Sequence, residues 1–208
     1  MRVLVTNGDT RPALAVTRSL GRMGHEVIVA AEQHPSLAAA SRHCAGHERY
    51  LPPQPDSPLF AKAIAGIAER RCIDLVLPIT EITTILLAQY RDCLPHYCAL
   101  PLPATESLRI ANDKSRLLTL AQSLGVPVPK THIVTASADD LPEKAEFDRL
   151  VVIKPARSRV KAATGWLSGG VDYASDRREL QQKLANLPSE LFPVLLQERI
   201  TEIGRAHV

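Results

Sequence analysis

Residues 150–155 read Leu-Val-Val-Ile-Lys-Pro, and the reading of this stretch decides the fold. The apolar, β-branched run predicts a buried strand. A lysine closes it, and the proline that follows cannot donate to a further ladder. Such a strand carries one ammonium group to its own end, just ahead of a polar loop. A lysine that simply reaches water would produce the same pattern, so the flanking segments have to separate the two readings.

Upstream, residues 107–125 place Leu108, Ile110, Leu117, Leu118, Leu120, Ala121 and Leu124 at helical spacing and stop at Gly125, which predicts one long helix. The tetrad Ala111-Asn112-Asp113-Lys114 lies inside it. Val126-Pro127-Val128-Pro129 is extended, residues 131–135 read as a strand, and 136–149 as a polar loop with a short helix. Downstream, residues 156–170 are polar and irregular, with Arg157, Arg159 and Lys161 followed by Gly165, Gly169 and Gly170. Residues 171–174 form a further strand. Residues 176–187 form a helix capped by Ser175 or Asp176, and 194–200 (Val-Leu-Leu-Gln-Glu-Arg-Ile) form a last strand.

The first hundred residues have a different grammar. Residues 2–6 form a buried strand, Asn7-Gly8-Asp9 turns the chain, residues 12–21 are helical from Pro12, and 26–31 give a second apolar strand. Strand, helix and strand in about thirty residues make a βαβ unit and a parallel sheet. The first turn holds one glycine and Asp9 where a dinucleotide fingerprint needs three glycines and no negative charge, so a nicotinamide cofactor is not expected. Residues 35–44 are expected to be helical. Tyr50-Leu51-Pro52-Pro53 with Pro55 and Pro58 forms a rigid connection, 59–71 a helix with Phe60, Ile64 and Ile67 on one face, and 73–79 a strand. Glu81 follows that strand. It reads either as a residue of a substrate cleft or as a first-turn carboxylate favoured by the next helix, residues 82–90. Pro101 and Pro103 mark a domain boundary.

Bulk composition narrows the class. Hydrophobic residues are 45%, charged residues 23% and the net charge +3 over 208 residues, which suits a globular protein with a core and is too mild to argue for nucleic acid. Aromatic residues are 4%, too few for a base-stacking platform. Cys44, Cys72, Cys93 and Cys98 show no C-x-x-C or metal spacing, so free thiols and a cytoplasmic location are expected. No export signal or membrane-spanning run is read.

In order, Asn112-Asp113-Lys114, Gly125-Val126-Pro127-Val128-Pro129, Val152-Ile153-Lys154-Pro155, a mobile loop, Gly169-Gly170-Val171 and Leu195-Leu196-Gln197-Glu198-Arg199-Ile200 resemble the start of an ATP-grasp enzyme. The branch is that of carbamoyl phosphate synthase large chains and biotin carboxylase. Each motif is weak alone; their order and spacing over nearly the whole chain are specific. The resemblance implies an α/β protein: a Rossmann-like parallel-sheet pre-ATP-grasp domain at 1–105, then the N-terminal, incomplete part of an ATP-grasp α+β domain at 106–202. It implies that Lys114 and Lys154 bracket the nucleotide phosphates. Two cations from separate elements can neutralise a polyphosphate that neither holds alone. Glu198 and Ile200 match the hinge whose backbone carbonyl and N–H read the adenine edge. Residues 156–164 match the lid over the phosphates. Here the lid carries Arg157, Arg159 and Lys161 in place of the family's glycines, a departure from the family's pattern.

The reaction implied is ATP-dependent phosphorylation of a small carboxylate and attack by an amine on the acyl phosphate, with Mg²⁺ bridging phosphate oxygens. A homodimer is a further expectation, and nucleic acid and membrane are not expected partners. In the family the ribose-binding acid and the Mg²⁺-holding Glu and Asn follow the hinge, so the metal ligands are expected outside this chain, and the chain is expected to be a C-terminally truncated, inactive fragment. Residues 203–208 resemble one translated frame of a sequencing adapter and are expected to be a non-native tail, which removes His207 from the candidate ligands. The competing readings are a non-catalytic nucleotide- or metabolite-binding module and a nicotinamide-dependent reductase, which would leave Lys114 and Lys154 without a role.

Overall fold

A computed structural model describes residues 1–137, 140–141, 150–163 and 165–200. The chain divides into two compact units, Met1–Thr105 and the residues from Glu106 onward.

The first unit is a four-stranded, all-parallel sheet in the order β3-β2-β1-β4. Its strands are β1 (Arg2–Val5), β2 (Glu26–Ala31), β3 (Cys44–Arg49) and β4 (Leu75–Leu77), with helices α1 (Arg11–Arg22), α2 (Leu59–Arg71) and α3 (Glu81–Gln89). Val3, Leu4 and Val5 of β1 and Val27, Ile28 and Val29 of β2 are all buried. A parallel sheet is covered on both faces, so its strands read as unbroken apolar runs. Thr10 caps α1 by accepting from the Ala13 N–H at 3.3 Å, and Pro12 occupies the first turn. On α2, Phe60, Ile64 and Ile67 are buried together, as their spacing predicts.

One expectation fails in this unit. Residues 35–43 form turns instead of a helix, and Cys44 then opens β3. Cys-Ala-Gly-His-Glu-Arg lies on the sheet edge, alternates between half-buried and exposed, and breaks register beside Val27 and Ile28. An edge strand this polar lacks the apolar run by which β1 and β2 are recognised.

The second unit pairs an antiparallel sheet, in the order β5-β10-β6-β9, with a separate hairpin of β7 and β8. Its elements are α4 (Thr105–Ala111), α5 (Lys114–Ser123), β5 (Thr131–Val134), β6 (Val151–Pro155), β7 (Arg159–Ala162), β8 (Gly165–Ser168), β9 (Asp172–Ala174), α6 (Arg177–Ala185) and β10 (Val194–Glu198). Val151 and Ile153 of β6, Val194 and Leu196 of β10, Val134 and Ala174 pack against Leu180 and Leu184 of α6. Fully burying a side chain such as Leu196 contributes roughly 1.5–3 kcal/mol. Because strand side chains alternate faces, Val152, Lys154, Leu195 and Gln197 lie on the opposite face of the same two strands.

Two further expectations are corrected. Residues 107–125 are not one helix, since the chain breaks at Asn112 and Asp113. Asp113 leaves helical geometry (φ −116°, ψ 104°) and caps α5 through bonds to the N–H groups of Ser115 and Arg116 at 3.1 and 3.3 Å. The Lys114 N–H is drawn off to the Ala156 carbonyl at 2.8 Å. Leu117, Leu120 and Leu124, the apolar positions expected to fill a core, are exposed. The loop expected to be irregular over 156–170 holds the antiparallel β7–β8 hairpin, with Val160 opposite Leu167 and Lys161 opposite Trp166. Residues 203–208, with the expected tail, lie outside the described residues. All four cysteines are free, and no described helix is long and apolar enough to cross a membrane.

Candidate functional site: the end of strand β6

Lys154 stands on the face of the second unit's sheet away from α6, one residue before the strand end. Its ammonium donates to Gln197 Oε1 at 3.1 Å. Gln197 in turn donates through Nε2 to Thr131 Oγ1 at 3.0 Å, and the Thr131 hydroxyl donates to the Pro129 carbonyl at 2.8 Å. Lys154 faces Leu195 across the ladder, so Gln197 is its diagonal neighbour on β10. Gln197 is only 6% exposed, so its amide is a fixed acceptor. Among the described residues no carboxylate pairs with Lys154. The result is an oriented, half-buried ammonium whose charge no described carboxylate neutralises.

Lys114 comes to the same strand end from α5. Its Nζ donates to Ser158 Oγ at 3.0 Å and to the carbonyls of Pro155 and Ala156 at 3.3 and 3.5 Å. The helix break makes this possible. If residues 107–125 ran on unbroken, Lys114 N–H would serve the helix and could not be tied to Ala156. The structure therefore brings Lys114 and Lys154, forty residues apart in sequence, to one end of β6.

Arg157 continues the cationic cluster, with Nε 3.5 Å from Asp113 Oδ2. Burial pushes the Asp113 carboxyl up, but hydrogen bonds from the Ser115 hydroxyl and from backbone N–H groups, together with the Arg157 charge, outweigh it and leave the group below its ordinary value. Asp113 thus caps the helix that presents Lys114 and also steers Arg157. Arg159 opens β7 and is exposed, on the same side of the strand as Lys161, while Val160 between them is buried. The hairpin is anchored at its base. The Gly169 N–H donates to the Ser158 carbonyl at 3.2 Å, and a Cβ at Gly169 would fall 2.4 Å from Pro155 Cγ. Only glycine permits that approach.

Glu198 and Ile200 sit at and beyond the end of β10. The Glu198 carboxylate accepts from the Lys130 N–H at 2.9 Å while the Glu198 N–H donates to the Lys130 carbonyl at 3.1 Å. The side chain therefore has a structural task, fastening the segment before β5. Ile200 is exposed, and its N–H has no hydrogen-bond partner among the described residues. Sequence reasoning missed Gln197, Thr131 and Ser158 as site-shaping residues. The signal for Gln197 was available: a polar residue in an otherwise apolar strand, two positions past the partner of Lys154.

In the first unit, the carboxyl ends of β1 and β4 carry a separate polar cluster. Asn7, in a left-handed conformation (φ 55°), accepts through Oδ1 from the hydroxyls of Thr6 at 2.9 Å, Thr83 at 2.9 Å and Thr80 at 3.3 Å. The Asn7 N–H donates to the Tyr50 hydroxyl oxygen, and burial pushes the pKa of that hydroxyl up to about 12. Burial and the Asp9 carboxylate raise the Glu32 carboxyl. Glu81 is the first residue of α3, whose N-cap is Thr80, which is where a helix dipole favours an acid.

No protein-family model matches the sequence, and neither does any curated protein. Solved structures match in fold. An L-amino acid ligase from Bacillus licheniformis is 18% identical with a TM-score of 0.63, over 96% of this chain and 44% of that one. N5-carboxyaminoimidazole ribonucleotide synthetase from Thermotoga maritima is 19% identical with a TM-score of 0.62, over 96% and 46%. The biotin carboxylase domain of a 2-oxoglutarate carboxylase from Hydrogenobacter thermophilus, a dimer solved with MgADP, ADP and bicarbonate, is 16% identical with a TM-score of 0.66, over 96% and 44%. The chain spans less than half the length of these structures, and across that span it shares their fold.

Proposed function

We propose that the protein to which this chain belongs is an ATP-dependent carboxylate–amine ligase, and that the end of β6 forms one side of its nucleotide clamp. Lys154 and Lys114 take the phosphates, Arg157 and Arg159 close over them from the hairpin, and the main chain at Glu198 and Ile200 reads the adenine edge. The observation that carries the reading is the convergence of two lysines from separate elements on one strand end. Lys154 is held there by Gln197, and Lys114 by the helix break at Asp113. Among the neighbours in fold, the Hydrogenobacter domain was solved with MgADP and bicarbonate, and a dimer is part of the proposal.

In the reaction proposed, a carboxylate oxygen attacks the γ-phosphorus and ADP leaves. An amine nitrogen then attacks the acyl carbon, loses a proton and expels inorganic phosphate. What these residues supply is charge neutralisation and positioning, which carry most of the catalysis in phosphoryl transfer. The fixed Lys154 ammonium needs no reorientation when the phosphates arrive. Mg²⁺ is implied by the fold family, yet among the described residues no cluster of three His, Cys, Asp or Glu side chains could hold a metal. Asp113 is committed to capping α5 and to Arg157, and no step is assigned to the metal here.

Calorimetric titration with ATP tests the reading. Lys154→Ala and Lys114→Ala are each expected to weaken ATP binding by about tenfold or more, the scale of a lost charge-assisted contact. The far-ultraviolet spectrum should stay unchanged. Equal ATP affinity in wild type and both variants overturns the assignment.

A further inference from the structure

A cavity of about 390 Å³ lies in the first unit between the last turns of α1 and the segment that leads into β3. It is lined by Arg18, Arg22, Ala40, Ser41, Arg42 and His43, and its volume is within the usual range for small-ligand sites. Among the described residues no acidic side chain lines it. Among the described residues none of the three arginines has a carboxylate partner. Arg42 instead donates to His43 Nε2 at 3.4 Å, a bond that uses the neutral imidazole.

Two details show that this concentration of positive charge is maintained against a cost. Arg18 and Arg22 are four residues apart on α1, so they share a helix face, and like charges at that spacing destabilise a helix. The helix C-terminus favours Arg22 but not a second cation a full turn earlier. In addition, α1 is pressed against the loop at Gly21, where a Cβ would fall 2.5 Å from His43 Cβ. Any side chain there would push the helix, with Arg18 and Arg22, away from Arg42 and His43. Glycine at this helical position, itself unfavourable by roughly 0.5–1 kcal/mol, closes the cluster.

We infer that this pocket is a binding site for a small phosphate-bearing anion. Guanidinium groups present paired N–H donors that match phosphate oxygens, and three of them around one cavity supply charge that no described carboxylate neutralises. The pocket lies at the amino ends of β2 and β3. Ligands that take part in chemistry on open parallel sheets bind at the carboxyl ends of the strands. The anion is therefore an effector that binds apart from any substrate crevice of this sheet. The inference does not depend on the nucleotide clamp.

The probe is inorganic pyrophosphate, titrated calorimetrically into wild type, Arg18→Gln/Arg22→Gln, Arg42→Gln and Lys154→Ala. The expected result is a saturable site that persists in Lys154→Ala and weakens about tenfold or more in the Arg18→Gln/Arg22→Gln variant. Because the double variant relieves a repulsion, its melting temperature should hold or rise, which separates lost binding from lost folding. Pyrophosphate binding that is unchanged in both arginine variants, or that never saturates, overturns the inference. Binding of oligonucleotides that tightens with length and is lost in the same variants also overturns it, in favour of a nucleic acid surface.

Discussion

The two sheets put the same kind of strand to different uses. In the parallel sheet of the first unit, β1 and β2 are buried on both faces and have no side chain to spare for chemistry. In the antiparallel sheet of the second unit, β6 and β10 bury Val151, Ile153, Val194 and Leu196 beneath α6, and on the other face set Lys154 and Gln197 beside the buried Val152 and Leu195. A strand with buried neighbours on both faces can still place a charge accurately, because the packed side chains fix the backbone from which the charge projects. The first unit keeps its polar clusters off its strands, at Asn7 beyond the end of β1 and at the arginine pocket between α1 and the segment before β3.

Substitutions at matched positions can break that comparison. The largest effect is expected for Leu4→Ala in β1 and Leu196→Ala in β10, both fully buried. Each should lower unfolding free energy by roughly 2–5 kcal/mol in urea melts, whereas Lys154→Ala, at a half-buried position, should cost less stability and much nucleotide affinity. If Lys154→Ala destabilises as much as Leu196→Ala, the lysine is part of the core and the contrast is wrong. Next in size is Gly169→Ala, where the added methyl meets Pro155 in the backbone-anchored base of the hairpin. A loss of about 1–3 kcal/mol is expected, together with weaker ATP binding. Unchanged binding would separate the hairpin from the clamp.

Gln197→Leu should have a smaller effect. It keeps the volume but removes the acceptor that orients Lys154, at about 1 kcal/mol for the bond. ATP affinity should fall less than in Lys154→Ala, and adding Gln197→Leu to Lys154→Ala should cost little more. Full additivity of the two would show that Gln197 does not act through the lysine.

The smallest effect concerns pH. Asp113 titrates below its ordinary value in the folded protein, so the native state binds fewer protons than the unfolded state as pH falls. Its contribution is therefore complete above the unfolded value, near 3.9, and is lost as pH drops through the lower folded value. Wild-type stability should fall across that window, and Asp113→Asn should flatten the fall. Parallel curves would remove the link between Asp113, the α5 cap and Arg157.

The sequence made the apolar strands legible because burial leaves a contiguous mark: Arg2–Val5, Glu26–Ala31, Val151–Pro155 and Val194–Glu198 are visible as runs. It hid β3, whose edge position tolerates His47, Glu48 and Arg49. It also hid the break between α4 and α5, since Leu117, Leu120 and Leu124 keep helical spacing across residues that bury nothing. At the candidate site, the order of Lys114, Lys154, Arg157 and Glu198 was readable. What holds them was not, because Gln197, Ser158 and Asp113 act through contacts set by strand pairing. The arginine pocket joins residues from two segments through one glycine, a relation that sequence does not display.

The central claim is that the end of β6 reads phosphate while the chain after β10 reads adenine. The most direct measurement is the ratio of ATP affinity to adenosine affinity in wild type and in Lys114→Ala/Lys154→Ala. The account predicts that wild type prefers ATP strongly and that the double variant loses this preference while binding adenosine as before. A double variant that still prefers ATP by the wild-type margin would contradict it.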